Sequence, residues 1–276
     1  MMTEQRRKKQ PRPADKQIYR LTIEYDGGRY SGWQKQDDAR TIQGALLHAA
    51  ATLLGEAVDV QGNGRTDAGV HALRYTAHLA ASVSWDPPLL AARLNELLPH
   101  DIVVLEAKKA GPCFHARHNC VARSYLYQIV TRKTSFCRRY AWWVTEPLDL
   151  ALMDEAAARM TGMHDFLSFT DRQAVKNKSS LVLVEKIQVV KREDVILIRI
   201  VGSHFLWKMV RRMTGVLVAV GRHVLTTADV ERFLLEPVNL STFTAPAQGL
   251  FFERCFYNRE ETDAFLADDT ITPCFF

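Results

Sequence analysis

The sequence lacks the features that mark membrane, secreted and disulfide-rich proteins. No run of its 276 residues approaches the roughly 20 consecutive apolar residues that a membrane-spanning helix needs. The N-terminus has no apolar stretch after its basic residues, so it does not have the form of a secretory signal. The five cysteines are odd in number and contain no CxxC pair, which argues against a disulfide framework. We therefore expect a soluble cytoplasmic protein.

Residues 113–120 contain possible metal ligands, but their spacing argues against a metal site. This segment contains Cys113, His115, His118 and Cys120, which are all possible zinc ligands. Structural zinc sites normally separate two ligand pairs by a loop of a dozen or so residues, and here nothing separates them. In an extended strand, alternate side chains would also face opposite ways. We therefore predict no metal.

Most of the positive charge lies in an N-terminal arm, residues 1–17. Residues 1–16 carry a net charge of +4, and the whole chain carries +5. The arm contains proline and shows no apolar periodicity, so we predict that it is disordered. It is either a solvated tail or a segment that contacts nucleic-acid phosphates. The rest of the chain is near neutral, so an RNA site there has to be a local patch.

Apolar periodicity predicts an α+β fold. In the first half it indicates strands at residues 18–25, 58–61, 70–80, 102–107 and 122–130, and helices at residues 42–54 and 87–98. In the second half it indicates helices at residues 150–160, 205–220 and 227–235, a hairpin of residues 181–190 and 195–201, and a strand at residues 250–257. Thr41 and Asp149 are expected to cap helices. Since hairpins replace a strict β-α-β order, we expect largely antiparallel sheets with helices on one side.

The pattern is interrupted between residues 132 and 150, where we place a domain boundary. We predict an N-terminal half at residues 18–131, a C-terminal half at residues 132–257 and a C-terminal tail at residues 258–276.

The most informative segment is GNGRTDAGVH, residues 62–71. Its three glycines let the backbone turn tightly and approach a ligand closely. Asp67 lies two residues from Arg65, which can keep the carboxylate ionised and oriented. On composition alone, a turn with a capping aspartate and a solvated arginine explains the segment at least as well.

The segment GRTDAGVHA resembles the signature of the TruA family of tRNA pseudouridine synthases. Further blocks follow in the family's order between about residue 18 and residue 257. They are YDGGRYSGWQKQ and TIQG, LNELLPHDI, FHAR and RSYLY, GMHDFLSF, FLWKMVRRMTG, and APAQGL. Only GRTDAG is specific by itself, so the ordered set carries the resemblance. His115 belongs to FHAR, which further weakens the zinc interpretation.

The resemblance implies an enzyme that converts uridine to pseudouridine in the anticodon stem-loop of tRNA, at positions 38 to 40. The reaction breaks the C1′–N1 bond, turns the base and rejoins it through C5, and it needs no cofactor. It needs a carboxylate near the sugar, as glycosidases do. The resemblance assigns this role to Asp67, and attack at C1′, attack at C6 and removal of a sugar proton all stay open.

The resemblance also implies four other site residues. Arg65 would assist flipping of the target uridine, Tyr125 would stack on the uracil and take part in removing the C5 proton, and Leu250 would form an apolar wall. Arg211 would hold Asp67 through paired hydrogen bonds. The plainer alternatives are a core aromatic for Tyr125 and a helix-surface charge for Arg211.

The implied fold is two similar α+β halves with a mainly antiparallel mixed sheet, helices on the outer side and a central basic RNA-binding cleft. The family acts as a homodimer, so the expected assembly is a homodimer bound to tRNA.

Some residues depart from the family's pattern: Arg74 and Tyr75 stand where Gly-Gln is common, Leu79 where an aromatic is usual, and Lys208 adds a charge. They leave open the alternative that the protein is a paralogue that modifies other uridines of tRNA or another RNA. A non-catalytic RNA-binding protein would be expected to lack one of Asp67, Tyr125 or Arg211. A glycoside hydrolase would need a second carboxylate in the motif.

We predict that deleting residues 2–16 leaves the single-turnover rate on saturating tRNA unchanged, because the resemblance begins near Ile18. If the arm contacts RNA, the deletion weakens binding at low salt and flattens the slope of log K against log salt by at most a few units. Binding of both forms at three salt concentrations measures this. Equal affinities and slopes would indicate a tail that never contacts RNA, and a lost saturating rate would contradict both interpretations.

Overall fold

The computed structural model describes residues 16–175 and 179–274 of the chain. The predicted disordered arm, residues 1–17, lies outside the described residues except for Lys16 and Gln17. No helix of the described part is both long enough and apolar enough to span a bilayer.

Ten strands and six α-helices make up the described fold. The strands are β1 (Gln17–Tyr25), β2 (Asp59–Gly62), β3 (His71–Ala81), β4 (Ile102–Ala110), β5 (Ala122–Val130), β6 (Trp142–Trp143), β7 (Gly162–Asp165), β8 (Leu181–Arg192), β9 (Val195–Gly202) and β10 (Leu250–Phe256). The helices are α1 (Ile42–Leu54), α2 (Pro87–Leu97), α3 (Leu150–Met160), α4 (Met209–Gly221), α5 (Thr227–Leu235) and α6 (Arg259–Ala267).

All ten strands belong to one sheet, in which the main path runs β4-β1-β3-β10-β5-β9-β8-β7. The neighbours pair antiparallel, except for the parallel pairs β10–β3 and β5–β6. The predicted α+β class with a mainly antiparallel sheet is therefore confirmed. The last strand, β10, lies between β3 and β5 and joins strands from both parts of the chain. The division into two domains stays a prediction.

The predicted helix starts hold where a side-chain cap is present. The Thr41 hydroxyl accepts a hydrogen bond from the backbone N–H of Gly44 at 3.2 Å, and the Asp149 carboxylate accepts one from Leu152 at 3.1 Å. The helix predicted from residue 205 is wrong at its start, since α4 begins at Met209. Lys208 adopts the left-handed conformation with φ 60°, which cannot continue a right-handed helix.

Two hydrophobic clusters lie on the same face of the sheet. One packs α1 and α2 against β1, β3 and β4, and the other packs α3, α4 and α5 against β5, β8 and β9. Tyr125 on β5 contacts both clusters, so it lies where the two helix groups meet. Helix α6 lies within the predicted C-terminal tail and packs through Phe265 against Phe256 on the other face of the sheet. The prediction that the helices lie on one side therefore holds only for α1–α5.

Helix α4 packs closely against the chain segment 243–245. A Cβ added at Gly215 would lie 1.6 Å from the carbonyl oxygen of Phe243. The same segment receives the side chain of Arg211, whose Nε donates to the carbonyl oxygen of Ala245 at 2.8 Å. Gly215 therefore sets the distance between α4 and the segment that holds Arg211.

We predict that Gly215→Ala lowers the free energy of unfolding by about 1–3 kcal/mol, because backbone atoms have to move to admit the methyl group. In an open helix position the same change would stabilise by about 1 kcal/mol. Urea unfolding monitored by circular dichroism measures the difference. Gly111→Ala is the control, since a Cβ there meets nothing within 4 Å. A Gly215→Ala protein as stable as the parent would contradict the close packing.

Candidate active site

The loop after β2 is anchored on a pair of aromatic residues. The rings of Trp33 and Tyr75 lie 4.2 Å apart, and the backbone N–H of Trp33 donates to the carbonyl oxygen of Thr66 at 3.1 Å. The Tyr75 hydroxyl accepts from the N–H of Gly64 at 3.3 Å and donates to the Gly64 carbonyl. These contacts fix the backbone on both sides of Arg65.

Two of the three glycines in the decapeptide are required by the geometry. Gly69 has φ +80°, a conformation that favours glycine. A Cβ at Gly62 would lie 2.0 Å from the Tyr75 hydroxyl. Gly64 differs, because a Cβ there would meet nothing within 4 Å.

The structure brings Asp67 and Arg211 together, although they lie 144 residues apart in the chain. Arg211 Nη1 donates to Asp67 Oδ2 at 2.9 Å, and the two side chains are 16% and 20% exposed. The carboxylate is thus paired with a cation while one side of it stays open to solvent.

The guanidinium makes one hydrogen bond to Asp67 and not the expected two. Arg211 Nε is occupied by the carbonyl oxygen of Ala245, and the N–H of Ala245 donates to the Arg211 carbonyl at 3.0 Å. Arg211 is therefore held against segment 243–245 and is not a solvated surface charge. Its neighbour Arg212 is 5% exposed.

The second oxygen of Asp67 is bound by Trp207, which the sequence analysis missed. Trp207 Nε1 donates to Asp67 Oδ1 at 3.1 Å, and the indole is 48% exposed. The sequence held one signal, since Trp207 and Arg211 are four residues apart and would share a face of the predicted helix. In the structure both reach Asp67, but Trp207 does so from the turn before α4.

Arg123 bridges the two sides of the site and was also not singled out. Its Nη1 donates to the carbonyl oxygen of Ser203 at 2.8 Å, and its Nη2 donates to that of Asn63 at 3.0 Å. Asn63 belongs to the loop that carries Asp67, and Ser203 begins the turn that carries Trp207. One guanidinium on β5 therefore fixes both segments relative to the sheet.

Tyr125 is packed edge-to-face between Phe205 and Phe252, with ring centroids 5.2 Å away on each side. Burial raises the pKa of Tyr125 well above its usual value, Arg123 lowers it, and the nearby charge of Asp67 raises it. The phenol is therefore neutral near pH 7. Among the described residues its hydroxyl has no hydrogen-bond partner. Tyr127, as expected, is a core residue that donates to the Pro246 carbonyl at 2.7 Å.

The other two predicted residues have contrasting surroundings. Arg65 is exposed, and within residues 16–175 and 179–274 its guanidinium makes no hydrogen bond or ion pair. Leu250 is 4% exposed and belongs to the cluster under α3–α5, opposite Tyr127 in the β10–β5 ladder. Arg65 is free to contact a ligand, and the role of Leu250 stays a prediction.

The segment once considered for zinc makes other contacts. His115 Nε2 lies 3.1 Å from Gln61 Oε1, and all five cysteines are free thiols. In the part of the chain that the structure describes, no three His, Cys, Asp or Glu side chains are grouped to hold a metal ion.

Comparison with known proteins agrees with this arrangement. The model of a family described as tRNA pseudouridine synthase matches residues 21–119 and 156–258. The tRNA pseudouridine synthase A of Zymomonas mobilis is 39% identical over 244 residues, which cover 87% of this chain and 99% of that protein. The protein of the same name from Rhodospirillum rubrum is 40% identical over 241 residues, 86% of each chain. The chain belongs to the tRNA pseudouridine synthase family.

The chain is therefore a pseudouridine synthase, which is an isomerase. Asp67, Trp207, Arg211 and Leu250 lie inside the two matched ranges. Tyr125 lies in the interval between them, residues 120–155, so its place in the site comes from the structure and from the RSYLY block. A third relative, the tRNA pseudouridine synthase A 2 of Clostridium tetani, is 36% identical over 244 residues, 87% of this chain and 98% of that protein.

We predict that Arg211→Lys lowers kcat for pseudouridine formation by about 10- to 100-fold, the range expected for losing a hydrogen bond to a charged group. A lysine ammonium cannot reproduce the planar guanidinium that joins Asp67 to Ala245. Tritium release from C5-labelled uridine measures the rate.

Arg222→Lys is the matched control for Arg211→Lys. Arg222 follows α4 and pairs with Glu146 at 2.8 Å on the surface. We expect it to keep the parent rate. Near-normal turnover of Arg211→Lys would instead support a surface-charge role for that residue.

Proposed function

We propose that this chain isomerises uridine to pseudouridine in tRNA, in the anticodon stem-loop at positions 38 to 40. The observation that carries the proposal is the Asp67 carboxylate, which is held at both oxygens and left 20% exposed. The relatives' names supply tRNA as the substrate, and the family resemblance supplies the positions.

The reaction conserves atoms, which fits a site built from side chains. The C1′–N1 bond breaks, a C1′–C5 bond forms, C5 loses a proton and N1 gains one. In the proposal Asp67 stabilises or attacks the reacting nucleoside, and Arg211 orients the carboxylate for that purpose. Attack at C1′, attack at C6 and removal of a sugar proton remain the three forms of this step.

The surrounding residues suit a flipped base. Arg65 is exposed two residues before Asp67 and is free to occupy the space that the uridine vacates. Tyr125 lies where the two helix groups meet, with its hydroxyl unpaired among the described residues, and its ring can stack on the uracil. Since its phenol is neutral, Tyr125 would take the C5 proton only while it passes its own O–H proton on to solvent.

Of the residues that depart from the family's pattern, Lys208 adjoins Trp207, which bonds Asp67, whereas Arg74 and Tyr75 have other surroundings. Arg74 lines a groove of about 550 Å³ beneath α6, on the face opposite to α1–α5. Tyr75 is buried and anchors the Asp67 loop. This placement favours the family's own reaction over a changed one. We include a homodimer in the proposal on the resemblance alone, and a cytoplasmic location on the composition and cysteine pattern of the sequence.

We predict that Asp67→Asn lowers pseudouridine formation to below a few per cent of the parent rate, while tRNA binding changes little. The amide keeps the shape of the side chain but removes its charge and its nucleophilicity. Tritium release measures the rate, and a filter-binding assay measures the affinity.

Asp59→Asn is the control for this substitution. Asp59 is exposed on β2 and accepts a hydrogen bond from Gln61, which an amide oxygen can also accept. We expect this variant to keep the parent rate. Turnover of Asp67→Asn above a few per cent would remove Asp67 from the proposed role.

A further inference from the structure

The two donors on Asp67 differ in kind. Arg211 is charged, 16% exposed and tied to Ala245, and it donates to Oδ2. Trp207 is neutral and 48% exposed, and it donates to Oδ1 at 3.1 Å. Because its indole N–H donates to the carboxylate in the family's signature motif, Trp207 does more than pack against its neighbours.

Two contacts and one unusual backbone conformation hold the turn that carries the indole. The hydroxyl of Thr170, which is 4% exposed, donates to the carbonyl oxygen of Trp207 at 3.0 Å. The ammonium of Lys208 lies 4.2 Å from the centre of the indole ring. Lys208 also has φ 60°, which is unusual for a residue with a side chain and persists only where surrounding contacts enforce it. The turn therefore fixes Trp207 toward Asp67 at a conformational cost.

A second donor changes what a carboxylate can do. With one donor on Oδ2, the group can still rotate about its Cβ–Cγ bond, and the direction of Oδ1 is not fixed. A donor on each oxygen sets the plane of the group. Each carboxylate oxygen has more than one acceptor direction, so Oδ1 can contact a nucleoside while Trp207 stays bound.

We propose that Trp207 is a positioning residue for the isomerisation, whose indole N–H fixes the plane of the Asp67 carboxylate. The proposal rests on the proposed function of Asp67. The effect of this contact can be tested separately from stacking of RNA bases on the exposed ring. The contact uses only the N–H, whereas stacking would use the ring face.

The test is Trp207→Phe, which keeps an aromatic ring and removes the N–H. We expect kcat to fall about 10-fold, the lower end of the range for a hydrogen bond to a charged group, with KM for tRNA unchanged. Trp143→Phe is the matched control, since the buried Trp143 Nε1 has no hydrogen-bond partner among the described residues.

A parent-like kcat in Trp207→Phe would overturn the proposal. A raised KM with an unchanged kcat would also overturn it, in favour of a role in RNA binding.

A second measurement does not depend on activity. In ¹⁵N-labelled protein, the indole resonance of Trp207, identified by its loss in Trp207→Phe, should move in Asp67→Asn and stay in place in Asp59→Asn. An unmoved resonance overturns the contact itself. If the resonance moves but the parent protein forms no pseudouridine, the contact stands, and the proposed function and the positioning role that rests on it both fail.

Discussion

The ion pair between Asp67 and Arg211 is the contact on which the site depends. It joins the loop that follows β2 to the first turn of α4, and so connects the part of the sheet under α1 and α2 with the part under α3–α5. Without this partner, the only side-chain bond among the described residues between the carboxylate and the segment leading into α4 would be the one from the neutral N–H of Trp207. The strand order, with β10 between β3 and β5, brings the two segments within reach.

Each partner of the pair is itself held by groups that do not touch Asp67. On the loop side, Trp33 and Tyr75 fix the backbone around Arg65. On the helix side, Gly215 lets segment 243–245 approach α4, and that segment orients the guanidinium. The position of the carboxylate is therefore set by packing in both helix groups, which is how an exposed loop can present a reactive group with a defined direction.

Local signals in the sequence predicted most of the fold, and non-local contacts limited the rest. A few adjacent residues determine each of the caps, at Thr41 and Asp149, and the β8–β9 hairpin, so these features were predictable. The start of α4 was not, because Lys208 takes a left-handed conformation without being glycine, and only its surroundings enforce it. The pairing of Asp67 with Arg211 came from the resemblance, since no spacing rule connects residues 144 apart. The bond from Trp207 depends on both of these features and was missed.

A second arginine–carboxylate pair shows how the pair proposed for catalysis differs in geometry from a structural pair. Arg199 and Glu253, on the other face of the sheet, are 6% and 14% exposed and share two hydrogen bonds, of 3.0 and 2.6 Å. Glu253 also accepts from Ser124, and Arg199 donates to the Thr270 carbonyl, so each of these charged groups has several partners. Asp67 is more exposed and receives only one bond on each oxygen, which leaves acceptor directions open toward solvent. Both pairs join residues that are distant in the chain. They differ in the unused acceptor capacity of Asp67, which would allow it to accept a hydrogen bond from a substrate.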